Sequence, residues 1–212
     1  MPRPRFSKLP LNRRVAILES AGREFAVHGY DGASINHILS QAGLSKGAAY
    51  YYFDDKADLF TAVVQHCFFD DLAAHADLDL ERLDAASFWP KVFEVYRQGA
   101  LHLHENPWMP GVTRAVWRLS KEARGQRNLA QLFSMAKAWV ASLLRKGQEV
   151  GVVRSDLPDD LLIALVFGLD EAAELWLVEH LPSLSAAELE GLTMRLLEST
   201  RRLLEPQPEG DP

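Results

Sequence analysis

Three observations predict an all-α fold. Apolar residues recur at three- and four-residue spacing through long segments. No stretch alternates apolar and polar residues between hairpin-turn signals. Glycines and prolines then cut the periodic stretches into pieces of helix length. With 48% hydrophobic residues, the 212-residue chain can bury a sizeable core.

The elements follow in order. The first helix spans about 13–28, where Ile17, Ala21 and Phe25 recur every four residues as a buried stripe. "HGYDGAS" breaks the pattern, with Gly29 and Gly32 as stop signals and Ser34 as the N-cap of a short helix over about 35–42. Gly43 supplies the permissive backbone of a tight turn. A third helix, capped by Ser45, runs to about Phe53, and "DDK" opens a fourth with apolar Leu59, Val63 and Phe68. Two short helices around a glycine turn form a helix-turn-helix pattern. A longer helical body follows, with helices over about 85–104, 111–124, 128–150, 159–181 and 186–204. Pro107, Pro110, Gly151, Pro158 and Pro182 mark their ends. The tail "EPQPEGDP" is expected to fray.

Charge is divided along the chain. Residues 1–56 carry eight Lys and Arg against five Asp and Glu, a balance of +3 in a chain of −6, which leaves −9 for the remainder. A basic head on an acidic body points to a polyanionic partner for the head. The single cysteine, Cys67, excludes an internal disulfide framework and a cysteine-built zinc cage. No apolar run approaches the ~20 residues that span a bilayer. No signal core follows the basic start "MPRPRFSKLP", so no membrane partner and a cytoplasmic location are expected.

The stretch "GLSKGAAYYYFDDKADLF" suits a helix edge laid against DNA. Lys46 stands in a first turn, where backbone N–H groups also attract phosphate. Gly47, Ala48 and Ala49 let the backbone approach a major-groove floor, and the Ala48 methyl can meet a thymine methyl. Tyr50 and Tyr51 can donate hydroxyls to phosphates, while Tyr52 and Phe53 face inward and anchor the third helix on the first. Ser34, Ser45 and Lys56, at the openings of helices, are further contact candidates. Arg3, Arg5 and Lys8 make a basic arm able to reach a minor groove, although a solvated, untethered terminus is the favoured expectation.

Residues 13–60, above all "SINHILSQAGLSKGAAYYYFDDKADLF", resemble the DNA-binding domain of TetR-type (tetracycline-repressor-like) transcriptional regulators. Ala42, Gly43, Ser45, Lys46, Gly47, Tyr50, Tyr52, Phe53, Lys56, Leu59 and Phe60 follow that family's pattern in order. "GQEVGVVRSDLP" is similar to the link before the family's dimerising helices. Ala48, Ala49 and Tyr51 stand where the family often has Thr, Leu and His, and Leu39 replaces a common small residue.

The resemblance implies an N-terminal three-helix helix-turn-helix DNA-binding domain over 1–56. It implies a helical effector-binding and dimerisation domain over 57–206, and 207–212 as a tail. The expected function is a ligand-responsive regulator, a homodimeric repressor released from a palindromic double-stranded operator when a small molecule binds the body. No catalysis, cofactor or metal is expected. Pocket candidates in the body are Phe93, Trp117, Phe133 and Trp139. Asp170 and Glu174 share a helix face with apolar residues and need a partner, either an internal Arg such as Arg114 or Arg118 or a cationic ligand.

Two half-sites require a self-association surface. Leu165, Gly168, Leu169 and Trp176 on one helix and Leu192 and Leu196 on the last are its candidates, building a four-helix bundle between subunits. A helical interaction module without a DNA partner is the alternative. An enzyme finds no nucleophile elbow, phosphate loop or zinc signature here, and "HLHEN" places its histidines two apart, on different helix faces.

Overall fold

The computed structural model describes residues 3–44, 51–67 and 78–207, with only the backbone for 123–128. Among these residues the chain is all-helical, with nine α-helices, two 3₁₀ turns and no strand. The helices are α1 (Pro4–Ser7), α2 (Leu11–Gly32), α3 (Ile35–Gln41), α4 (Lys56–Gln65), α5 (Phe88–Glu105), α6 (Met109–Ser120), α7 (Ala123–Glu149), α8 (Asp159–His180) and α9 (Ala186–Leu204).

They sort into two compact units. The first takes residues 1–71 and 106–132, the second 72–105 and 133–212, so α7 contributes to both. The helix over 109–120 thus shares a unit with the head.

In the first unit, α2 turns Ile17, Leu18, Ala21 and Phe25 inward at helical spacing, and none is more than 6% exposed. They meet Ile38 from α3 and Leu59, Phe60 and Val63 from α4, all buried. Phe60 stands edge-on to Phe25 at 4.8 Å. The predicted stop at Gly29 is a break in helical geometry, with one more turn beyond it. That glycine takes φ 67°, kinks the helix, and its carbonyl still accepts from the Ala33 N–H at 3.2 Å. Gly43, at φ 65°, closes the turn after α3 as expected. α4 opens where "DDK" predicts, with the Asp55 carboxylate accepting the Asp58 N–H at 2.9 Å.

α6 begins at Met109, before the expected residue 111. Pro110 falls in the first turn, where its missing N–H costs no hydrogen bond. α6 lies very close to α2. A Cβ added to Gly22 would stand 2.2 Å from the Trp108 ring, and one added to Gly111 would stand 2.7 Å from the Ala26 Cα. The Arg23 guanidinium lies 5.5 Å from the Trp108 ring centroid. α7 begins at Ala123 instead of 128, and α5 at Phe88 instead of 85, where Asp84 and Ser87 exchange capping bonds.

The second unit packs Phe88 and Val92 of α5 with Leu144, Val153, Leu162, Val166, Leu197 and Leu204. The "GQEVGVVRSDLP" link is sewn into this core. Arg154 donates its backbone N–H to the Leu204 carbonyl at 2.7 Å and its guanidinium to the Leu203 carbonyl at 3.3 Å. That satisfies carbonyls at the C-terminal end of α9, which the helix leaves unpaired. α9 starts in a full capping box between Ser185 and Glu188.

The amino terminus departs from expectation. Instead of a solvated tail, residues 4–7 form a turn of helix with Phe6 buried. An aromatic anchor placed between two basic residues supplies the apolar burial that an untethered terminus lacks.

Candidate nucleic-acid interface

The first short helix of the helix-turn-helix is held from two sides. The Ser34 hydroxyl caps α3 by accepting the His37 N–H at 3.3 Å. That bond uses the oxygen and leaves the hydroxyl proton to donate from an exposed residue. From below, the buried Glu24 carboxylate accepts the Ser34 backbone N–H at 2.9 Å and His37 Nδ1 at 2.6 Å. Burial pushes the Glu24 carboxyl up, but the bonds from Ser34 and His37 and the charges of His37 and His28 outweigh it and hold it below its ordinary value. The Ser20 hydroxyl adds a bond to the Ile38 carbonyl at 3.1 Å. Sequence reasoning missed Glu24 and His37. The available signal was an acidic residue inside the Ala21–Phe25 stripe of the first helix.

Ser45, Lys46, Gly47, Ala48 and Tyr50 lie outside the described residues. Immediately after them, residues 51 and 52 are helical. Tyr51 is 48% exposed, Tyr52 is half-buried and Phe53 is buried. The inward partner of Tyr52 and Phe53 includes Phe6, an element that the sequence reading left out.

Lys56 is engaged. Its ammonium donates to the carbonyls of Asp31 at 2.9 Å and Ala33 at 3.1 Å, and sits 5.2 Å from the Tyr30 ring centroid. A cation thereby closes the C-terminal end of α2, where the helix dipole is negative. Two of its three donors are spent there.

The sequence profile of bacterial regulatory proteins of the tetR family matches residues 17–63. Over these residues the chain carries the DNA-binding head of TetR-family transcriptional regulators. Relatives extend the match beyond the head. The HTH-type transcriptional repressor AcnR of Corynebacterium diphtheriae is 28% identical over 150 residues, 71% of this chain and 73% of its own. The repressor SCO4008 of Streptomyces coelicolor is 29% identical over 158 residues, 74% of this chain and 76% of its own. Among solved structures, the fatty acid degradation regulator FadR of Bacillus halodurans superposes with a TM-score of 0.75 at 18% identity, covering 88% of this chain and 97% of its own. FadR of Bacillus subtilis, solved with stearoyl-CoA, superposes at 0.71 with 19% identity, 88% and 98% covered. These two likenesses speak for the fold. The head match and the repressor relatives make the protein a DNA-binding transcriptional regulator and not an enzyme.

In the body, Asp170 of α8 accepts a hydrogen bond from the Tyr96 hydroxyl of α5. Arg114 and Arg118 are exposed on α6. Burial raises the Asp170 carboxyl to about 6, and the Tyr96 hydrogen bond only partly offsets the rise. The Tyr96 phenol is driven up by burial and then by the charges of Asp170 and Glu174. Phe93 packs on the core of the second unit, where Phe133 and Trp139 also lie, Trp139 being 38% exposed. Trp117 belongs to the first unit.

On α8, Leu169 and Trp176 are 41% and 46% exposed, Gly168 is exposed and Leu165 is half-buried. Leu192 and Leu196 on α9 are half-buried, while their neighbours Leu189 and Leu197 are buried within the chain. Among the described residues, no helix is long and apolar enough to cross a membrane, and no His, Cys, Asp and Glu cluster is arranged to hold a metal.

Proposed function

We propose that the protein is a homodimeric repressor that sits on a palindromic operator and leaves it when a small molecule enters the carboxy-terminal body. The observation that carries this reading is the seam between α2 and α6. A helix from outside the helix-turn-helix is built into the same compact unit as the head. Its fit, with Trp108 on Gly22 and Gly111 on Ala26, is too close to slip. A displacement of residues 106–120 therefore moves α2 with it. α4, which leads out of the head, is a second route.

Residues 1–56 read DNA through Lys46, Gly47, Ala48, Tyr50 and Tyr51, with Ser34 and Ser45 as flanking donors. Residues 57–206 bind the effector and pair the subunits, and 207–212 form a tail. The work is done where the chromosome is, in the cytoplasm.

The named relatives are repressors, which supports the sign of the regulation. The stearoyl-CoA complex of Bacillus subtilis FadR supports a ligand site inside a body of this fold. Here the candidate lining residues are Phe93, Phe133 and Trp139, with Asp170 and Glu174 half-buried on α8.

The test begins with operators selected from random duplexes. Stearoyl-CoA and a lipophilic cation are then titrated against the complex by fluorescence anisotropy. An effector that weakens operator binding by some factor must lose affinity by the same factor on the DNA-bound protein. A ligand that binds the body and leaves operator affinity unchanged excludes the switch.

A further inference from the structure

Five contacts from the amino-terminal segment converge on four consecutive residues. The Arg3 backbone N–H donates to the Tyr52 carbonyl at 2.8 Å. The Arg3 guanidinium donates to Asp54 Oδ1 at 2.7 Å. The Phe6 ring, 6% exposed, lies 4.9 Å from Phe53 and 6.1 Å from Tyr52 between centroids. The Arg5 guanidinium carbon stands 4.6 Å from the Tyr51 ring centroid. Residues 51–54 directly follow Lys46 to Tyr50 in the chain, so whatever grips them also grips the end of the helix that is read as the recognition helix.

The chemistry of the outer surface of this contact is anionophilic. Arg5 is exposed, and Tyr51 is 48% exposed. A guanidinium held over an aromatic ring keeps N–H donors for anionic acceptors, and the phenol adds an O–H donor. The one carboxylate of this group, Asp54, is neutralised by Arg3, which removes a charge that would repel a polyanion. Lys8 is exposed one turn further on.

We infer that residues 3–8 are a folded strap that sets the recognition helix, and that Arg5 held over Tyr51 is a DNA phosphate contact built by that strap. The inference rests on the DNA-binding reading of the head. It replaces an arm threaded into the minor groove with a clamp at the groove's edge.

The test uses the full chain and a selected operator, with affinity measured by anisotropy across a salt series. Wild type is measured first, and if it binds no duplex the DNA-binding reading itself falls. With wild type binding, Arg5→Ala is expected to weaken all sequences about tenfold. It is also expected to reduce the slope of log affinity against log salt by about 1. An Arg5→Ala protein with the wild-type slope and affinity overturns the contact. Phe6→Ala, which frees the strap, is expected to lower operator affinity, with recovery in Phe6→Leu. A folded Phe6→Ala protein, verified by circular dichroism, that binds the operator like wild type overturns the positioning role. Arg5 is exposed, so its variant decides the contact even if Phe6→Ala does not fold.

Discussion

Glu24 carries a charge at a place where helix geometry calls for an apolar side chain. It is 8% exposed, yet two donors, the Ser34 N–H and His37, reward the ionised form, and His28 stands 3.9 Å away. Truncation to Ala leaves the Ser34 N–H and the His37 ring without their acceptor and is expected to cost about 1–3 kcal/mol in urea unfolding. The sign with pH follows from the depressed carboxyl. Its contribution is present above the ordinary 4.5 and is lost as pH falls through the lower folded value, so Glu24→Gln should flatten the acid limb of the stability curve. Asp170 works in the opposite sense. Its carboxyl is raised from 3.8 to about 6, so the folded state holds a proton that the unfolded chain releases, and stability falls as pH rises through that window. Asp170→Asn keeps an acceptor for the Tyr96 hydroxyl and removes the buried charge. It should stabilise the protein at pH 7 by about 2 kcal/mol and leave little change at pH 4, read from thermal melts at the two pH values.

At the scale of elements, the decisive fit is between α2 and α6. Both glycines at this seam lack a side chain because a neighbouring helix occupies the space. Gly22→Ala would drive its methyl into the Trp108 ring. The expected cost is about 1–3 kcal/mol in a chemical melt, and Trp108→Leu in the same chain should recover part of it. Full additivity of the two substitutions would mean that the ring and the glycine do not meet. None of this was legible locally. Gly22 reads in the sequence as an ordinary small residue within a helix, and "ENPWMPG" reads as a break. Only packing shows that Trp108 from the break fills the space above Gly22. Boundaries moved for similar reasons. At Gly29 the backbone leaves helical geometry, and the short turn beyond it is held by Lys56, which donates to the Asp31 and Ala33 carbonyls.

For the whole molecule, the single chain leaves an apolar seam on α8. Leu161, Leu169 and Trp176 are 44%, 41% and 46% exposed and fall near one face at helical spacing. On the proposed dimeric reading, a second copy of the chain is its occupant. Replacing Leu169 and Trp176 together by Glu should give a folded monomer in sedimentation, since both side chains already meet solvent in one chain. Operator affinity should fall about a hundredfold or more as the second half-site is lost. A double variant that remains dimeric places the interface elsewhere.

The amino-acid sequence alone determined the helical class, the helix-turn-helix head and its family, because periodicity, glycine turns and capping residues act within a few neighbours. It also determined the order of the body helices, down to α9 at Ala186–Leu204. The tertiary structure decided which charges are buried and what they meet. Glu24 answers to His37, Asp170 to Tyr96, Lys56 to the end of α2, and Phe6 to Phe53. Those pairings join residues that lie far apart along the chain, and their energy exists only once other helices have brought them within hydrogen-bonding or van der Waals reach.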